Sequence, residues 1–221
     1  MYQDIIISQK IFFITFVETM QSGMPDEYLS YWKEFKSGDE KAFEMIFLHF
    51  HKELFQYGYK IVPNRSLVDD CIQELFLELW QSKERVALPL SVKSYLFRAL
   101  RYKMIRALKK ESRFASLDDI LSTSMEFSYE STLGQKEAEL EIQQKLQQHI
   151  KLLSPRQQEA LYLRYYAKLN YQEISKIMGI SSQAATNLVF KSIKQLKENL
   201  NYPANISILL LLPAAAGFVA G

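Results

Sequence analysis

This chain has little of what usually binds metals, closes covalent rings or cradles phosphates. Cys71 is the only cysteine in 221 residues, which excludes a disulfide framework and any zinc site built on cysteines. His49, His51 and His149 are the only histidines, and they lack the spacing of a known metal motif. Neither a glycine-rich phosphate loop nor a serine, histidine and acid constellation is present. No metal site, cofactor or catalytic residue is therefore expected, and the chain reads as a binding protein, not an enzyme. Net charge is also scarce. With 27 Lys and Arg against 25 Asp and Glu the balance is only +2, so binding to nucleic acid would require the charges to be segregated along the chain. The 48% hydrophobic and 24% charged content is that of ordinary globular protein, and the length suits two small domains.

The charges are segregated. No Lys or Arg occurs between Leu67 and Gln81. Within VDDCIQELFLELW, Ile72, Leu75, Phe76 and Leu79 recur at the i, i+3, i+4, i+7 spacing of one helix face. Asp70, Gln73, Glu74 and Leu77 repeat that spacing on a neighbouring face, an acidic and amide surface interrupted by one apolar side chain. A face of this kind suits docking to a basic protein surface, with Leu77 or Trp80 as the anchor. An acidic solvent-facing surface is the alternative.

After Pro89 a second helical pattern, SVKSYLFRALRYKMIRALKKESR, carries the opposite charge. Phe97, Leu100, Met104 and Leu108 form its expected buried face. Around them stand Lys93, Arg98, Arg101, Lys103, Arg106, Lys109, Lys110 and Arg113, opposed only by Glu111. So many cations on one helix repel one another unless phosphates neutralise them. Tyr95 and Tyr102, one heptad apart, are expected on a similar side, where they could stack on unpaired bases. The alternative places each at the edge of the core.

Upstream, Asp39 to Tyr59 has a helical pattern with Ala42, Phe43, Ile46, Phe47 and Phe50 on its apolar side. Ser112 to Gln135 is rich in serine and acidic residues without a sustained apolar period, and reads as a linker. Beyond it, LLSPRQQEALYLRYY offers Ser154 as an N-cap and Pro155 at the first helical position. In YQEISKIMGISSQAATNLVFKSIKQLKENL, Ile174, Ser175 and Met178 pack a first helix, Gly179 turns the chain and Ile180 is buried just after it. Ser181 or Ser182 caps a second helix with Ala185, Leu188, Val189, Ser192 and Leu196 inward. This is a helix-turn-helix. Its second helix would present Ser182, Gln183, Thr186 and Asn187 to a major groove and Lys191, Lys194 and Lys197 to the backbone.

In this order, GDEKAFEMIF at Gly38, DDCIQELFLELW at Asp69, SYLFRALRYKMIRALKK at Ser94 and LSPRQQEALYLRYY followed by YQEISKIMGIS resemble one family. Over about Lys36 to Leu200 the chain is similar to bacterial sigma factors of the extracytoplasmic-function (ECF) class, in the sigma-70 family. The resemblance implies a non-catalytic transcription initiation factor that binds core RNA polymerase, directs it to promoters and helps melt the DNA. It implies an all-α fold of two small helical domains joined by a flexible linker. The domains would be a region 2-like bundle over 25–113 and a region 4-like helix-turn-helix domain over 136–202, with the linker at 114–135. Carried over by position, Asp70, Gln73, Glu74 and Leu77 would dock the polymerase. Arg98, Arg101, Tyr102, Lys103 and Arg106 would bind and melt the minus-ten element. Ser182, Gln183, Thr186, Asn187 and Lys191 would read the minus-thirty-five element. Tyr102 stands where relatives commonly carry Asn, and AATNLVFK replaces a more basic run.

Promoter DNA and core polymerase are thus the expected partners of a chain that is monomeric when free, together with an anti-sigma factor. Residues 1–24 are an N-terminal extension, read as a start-site artefact with Met20 or Met24 as the natural start. The apolar tail at 203–221 includes an uncharged run from Ile206 to Gly221, marginal in length for a bilayer span and broken by Pro213. The expected location is cytoplasmic, with the tail meeting a membrane-bound anti-sigma protein or the membrane itself. Two rival readings are a stand-alone helix-turn-helix regulator acting as a dimer and a peripheral membrane scaffold.

Overall fold

The computed structural model describes residues 28–111 and 145–200, and every regular element among them is helical. The expected N-terminal extension, linker and apolar tail lie outside the described residues. The first half contains α1 (Tyr28–Lys36), α2 (Glu40–Ile61), α3 (Arg65–Gln81) and α4 (Val92–Glu111). Gly38, at φ 99°, turns the chain between α1 and α2. Asp39 then caps α2, its carboxylate accepting from the amides of Lys41 (2.8 Å) and Ala42 (3.0 Å). Asn64 does the same for α3 through the Leu67 amide, and Ser91 accepts from the Ser94 amide where α4 begins. Each cap satisfies amides that a first helical turn leaves without partners.

The helical periods predicted from sequence lead into one core. Trp32 and Phe35 of α1, Ile46, Phe50 and Leu54 of α2, Ile72 of α3 and Leu96, Phe97, Leu100 and Met104 of α4 are buried in it. Phe43 and Phe47, expected inside, are half-buried at its edge, where they meet Trp80 and Phe76 at ring separations of 5.1 and 4.9 Å. Leu108, also expected inside, is half-buried as well.

A glycine in the middle of α2 sets how closely the helices approach. A methyl group at Gly58 would lie 2.7 Å from Val68 Cγ1 and 3.3 Å from Met104 Sδ. Glycine weakens a helix interior by about 1 kcal/mol relative to alanine. Here the overlap with a branched, buried side chain outweighs that gain. Gly58→Ala is expected to lower stability by a net ~1–2 kcal/mol. Chemical denaturation checks this, and an unchanged or raised midpoint would mean that the helices can spread at no cost.

The second half has a helical stretch over 145–151, then α5 (Pro155–Leu161) with a wider π-helical turn (Tyr162–Tyr166), α6 (Tyr171–Met178) and α7 (Ser182–Leu200). Ser154 caps α5 with Pro155 in the first turn, as the sequence suggests, and Gln157 completes a reciprocal pair of bonds with Ser154. Asn170 and Glu173 build the same box on α6. Gly179 adopts the left-handed conformation (φ 68°) between α6 and α7, and Ser181 caps α7 by accepting from the Ala184 amide. Ala185, Val189, Ser192 and Leu196 form its buried line, and Leu188 is half-buried beside them. Ser175 differs from expectation. Its hydroxyl donates to the Gln172 carbonyl near the surface, and Ile177 takes the inward position.

The two halves do not stand apart. α4 lies against α6, and buried residues of both halves form a continuous core.

Candidate protein and nucleic-acid interfaces

The acidic face of α3 is presented as its periodicity requires. Leu67, Val68, Cys71, Ile72, Leu75, Phe76 and Leu79 turn inward, leaving Asp70, Gln73 and Glu74 exposed and Leu77 58% exposed. An apolar side chain ringed by carboxylates and an amide gives a partner both an anchor and a charge to approach. Trp80, the other proposed anchor, is not available in the same way. Its ring packs on Phe43, and Lys83 Nζ lies 3.9 Å from its centroid.

The basic helix α4 is divided by its neighbours. Arg98, Tyr102 and Arg106, spaced by four, form an exposed stripe. Tyr102 is 62% exposed, and the Arg106 guanidinium lies 5.6 Å from its ring centroid. Exposed Lys109 and Lys110 extend the positive surface. The other cations meet carboxylates. Lys93 Nζ lies 2.7 Å from Glu53. Lys103 reaches to α3, 2.6 Å from Glu78 and 3.7 Å from Glu74. Tyr95 does not share the open surface of Tyr102. It is half-buried against Trp32, and burial and then the Glu78 carboxylate raise its pKa above the ordinary value.

Arg101 is the largest departure from the sequence reading. It was expected among the DNA-binding residues, yet it is 7% exposed and directed into the junction between the halves. Its Nε and Nη2 donate to Glu159 Oε1 at 2.7 Å and Oε2 at 3.2 Å. The Tyr57 hydroxyl donates to the same Oε1 at 2.7 Å. A buried charge is stable only when paired in this way. Burial opposes the Arg101 charge, but the Glu159 carboxylate and its hydrogen bonds outweigh it and hold the pKa above its ordinary value. Burial and then the same carboxylate push the Tyr57 phenol well upward. Tyr162 stacks on Tyr57 at 5.8 Å and on Tyr166 at 5.2 Å. Sequence reasoning missed Tyr57 and Glu159. The available signal was a carboxylate set against Ala160 and Leu161, in a helix whose period turns it inward.

The helix-turn-helix presents Ser182, Gln183, Asn187 and Lys191 to solvent. Gln183 Nε2 donates to Asn187 Oδ1 at 3.0 Å. Thr186 is half-buried, its hydroxyl donating to the Ser182 carbonyl at 3.0 Å. Phe190 was not anticipated and is 61% exposed on this helix.

Residues 46–114 match the family model for sigma-70 region 2, and residues 150–198 that for sigma-70, region 4. The chain is similar to the ECF RNA polymerase sigma factor SigM of Bacillus subtilis (strain 168), 24% identical over 163 residues, covering 72% of this chain and 96% of that protein. It is also similar to the RNA polymerase sigma factor SigV of the same organism, 23% identical over 167 residues, covering 73% and 93%. Among solved structures, CnrH in complex with the cytosolic domain of CnrY shares the fold, with a TM-score of 0.54 and 18% identity over 80% of this chain and 98% of that one. The sigma factor RpoE in complex with the anti-sigma factor NepR from Bartonella quintana gives 0.53 and 18% over 73% and 98%.

Proposed function

Because the chain belongs to the sigma-70 family, as an ECF sigma factor that directs core RNA polymerase to promoter DNA, we propose that it does so through three surfaces of different character. Asp70, Gln73, Glu74 and Leu77 dock the polymerase. Arg98, Tyr102 and Arg106 form the ready part of the minus-ten surface, to which Arg101 and Lys103 can be added only by giving up their carboxylate partners. Ser182, Gln183, Thr186, Asn187 and Lys191 meet the minus-thirty-five element. The observation that carries this reading is the exposure of an acidic face on α3 beside a basic, aromatic stripe on α4, each suited to a partner that the other would repel. Sigma factors work by binding, and the same is proposed here, in the cytoplasm and as a monomer before polymerase is met. The domains are proposed at 25–113 and 136–202, with the linker at 114–135.

The packing of the halves adds a conformational requirement. The two promoter elements are named for positions about 25 base pairs apart, about 85 Å of duplex. α4 and α6 are in contact, so the two DNA surfaces cannot reach both elements in this arrangement. The packed form is the promoter-free state, and promoter binding parts the halves. An anti-sigma partner is proposed as well, supported by the two solved complexes of similar fold, one with the cytosolic domain of CnrY and one with the anti-sigma factor NepR. No helix among the described residues is long and apolar enough to cross a membrane.

The test is to add the chain to core RNA polymerase and transcribe pooled genomic promoter fragments. Discrete start sites are expected. Specific binding to a palindromic site without polymerase, and no initiation, would favour the dimeric regulator instead. Charge reversal with Asp70→Lys and Glu74→Lys is expected to weaken polymerase binding about tenfold or more without altering the fold, since both sites are exposed. Unaltered affinity would make this face a solvated surface only.

A further inference from the structure

The outer face of α7 contains one residue that none of its expected roles uses. The buried line of this helix is Ala185, Val189, Ser192 and Leu196. Two residues earlier at each step stand Gln183, Asn187, Phe190 and Lys194, all exposed. Two residues correspond to about 200° of helical rotation, so this second line lies almost opposite the core. Phe190 is 61% exposed within it, between an amide pair on its N-terminal side and a lysine on its C-terminal side. A large apolar ring held open to water among groups suited to base edges and phosphates has a natural complement in a major groove, the thymine 5-methyl group.

We propose that Phe190 is a specificity-determining residue, its ring packing on a thymine methyl in the minus-thirty-five element. This rests on the reading that α7 enters the groove there. Seven residues separate Gln183 from Phe190, about 10 Å along the helix, so the thymine lies at most about three base pairs from the base pair facing Gln183. The polar residues select by hydrogen bonds, and Phe190 adds selection by contact. It also gives this recognition helix, uncharged from Ser182 to Phe190, affinity that does not depend on salt.

Polymerase holoenzyme assembled with the full chain, wild type or Phe190→Ala, would first select promoters from a library randomised across the minus-thirty-five element. Wild type is expected to prefer thymine at a position that the variant leaves undetermined. Deoxyuridine, which lacks only the methyl group, would then replace that thymine. Wild-type binding is expected to fall about three- to fivefold, the worth of one buried methyl, and Phe190→Ala binding to stay level. Equal losses in both proteins, or no loss in either, would overturn the assignment. Loss of polymerase affinity in the variant with unchanged base preferences would overturn it too, and would place Phe190 against the polymerase. If Gln183→Ala and Asn187→Ala leave base preference unchanged as well, the groove reading itself fails. If those two shift preference and Phe190→Ala does not, only this inference fails.

Discussion

Glu159→Leu is expected to remove about 3–5 kcal/mol from the free energy that holds the two halves together, because it leaves the Arg101 guanidinium buried without its counter-charge. Glu159 is 1% exposed and accepts both the bidentate Arg101 pair and the Tyr57 hydroxyl, so one substitution strands two polar groups. The halves can relieve that penalty by separating, which lets water reach Arg101. The observable is therefore loss of coupling before loss of fold. Trp32 and Trp80, the two tryptophans of the chain, both lie in the first half. Their fluorescence reports that half alone, whereas circular dichroism reports both. The two denaturation curves are expected to coincide in wild type and to diverge in Glu159→Leu. Adding Arg101→Met should restore much of the coupling, since an apolar pair of similar volume commonly replaces a buried ion pair at little cost. Coincident curves in Glu159→Leu would show that the pair does not hold the halves. By the proposed mechanism the single variant also reaches the promoter-competent arrangement more readily, read as faster open-complex formation per bound polymerase.

A rise in pH above about 10 is expected to destabilise the protein steeply. Tyr57 and Tyr162 are buried. Burial and then the Glu159 carboxylate raise the first, and burial and then Glu53 raise the second, both far above the ordinary tyrosine value. Tyr166 is raised by burial and by Tyr162. Below the unfolded pKa of about 10 all these phenols are protonated in both states and pH has no effect through them. Above it the unfolded chain ionises while the folded one keeps its protons, so unfolding is favoured by about 1.4 kcal/mol per pH unit for each such group. Together the two buried phenols remove about 3 kcal/mol by pH 11, a large part of a typical domain's stability, and half-buried Tyr166 acts in the same direction. Urea denaturation at pH 9, 10 and 11 measures the slope. Tyr57→Phe should lower stability at pH 9, through the lost hydrogen bond to a carboxylate, and flatten the slope by about one proton. A stability that stays level from pH 9 to 11 would contradict the burial of Tyr57 and Tyr162.

Local features of the fold were legible because their causes are local. Ile72, Leu75, Phe76 and Leu79 turn inward and Asp70, Gln73, Glu74 and Leu77 outward, since an apolar period and its polar complement are fixed by the helix repeat alone. Ser154 with Pro155 and Gly179 act where they were expected, since a cap and a left-handed turn depend on adjacent residues. Around α4, however, cations occupy every polar direction, and no period separates Arg98 from Arg101. Their exposure is decided by Glu159, 58 positions from Arg101 in the chain. Phe190 was passed over for the opposite reason: an aromatic residue in a helix is ordinarily read as core, and its place opposite the buried line became visible only in three dimensions.

The sequence by itself determined the all-helical fold, the family, the order of its two regions, the acidic face of α3 and the helix-turn-helix, because periodicity, capping and charge segregation act over a few residues. Only the tertiary structure decided that the halves pack together, that Tyr57, Glu159 and Arg101 join them, that Lys103 turns to α3 and that Tyr95 and Tyr102 part company. Those outcomes depend on which distant carboxylate or ring a side chain meets once its helix has docked, and burial then makes the pairing obligatory.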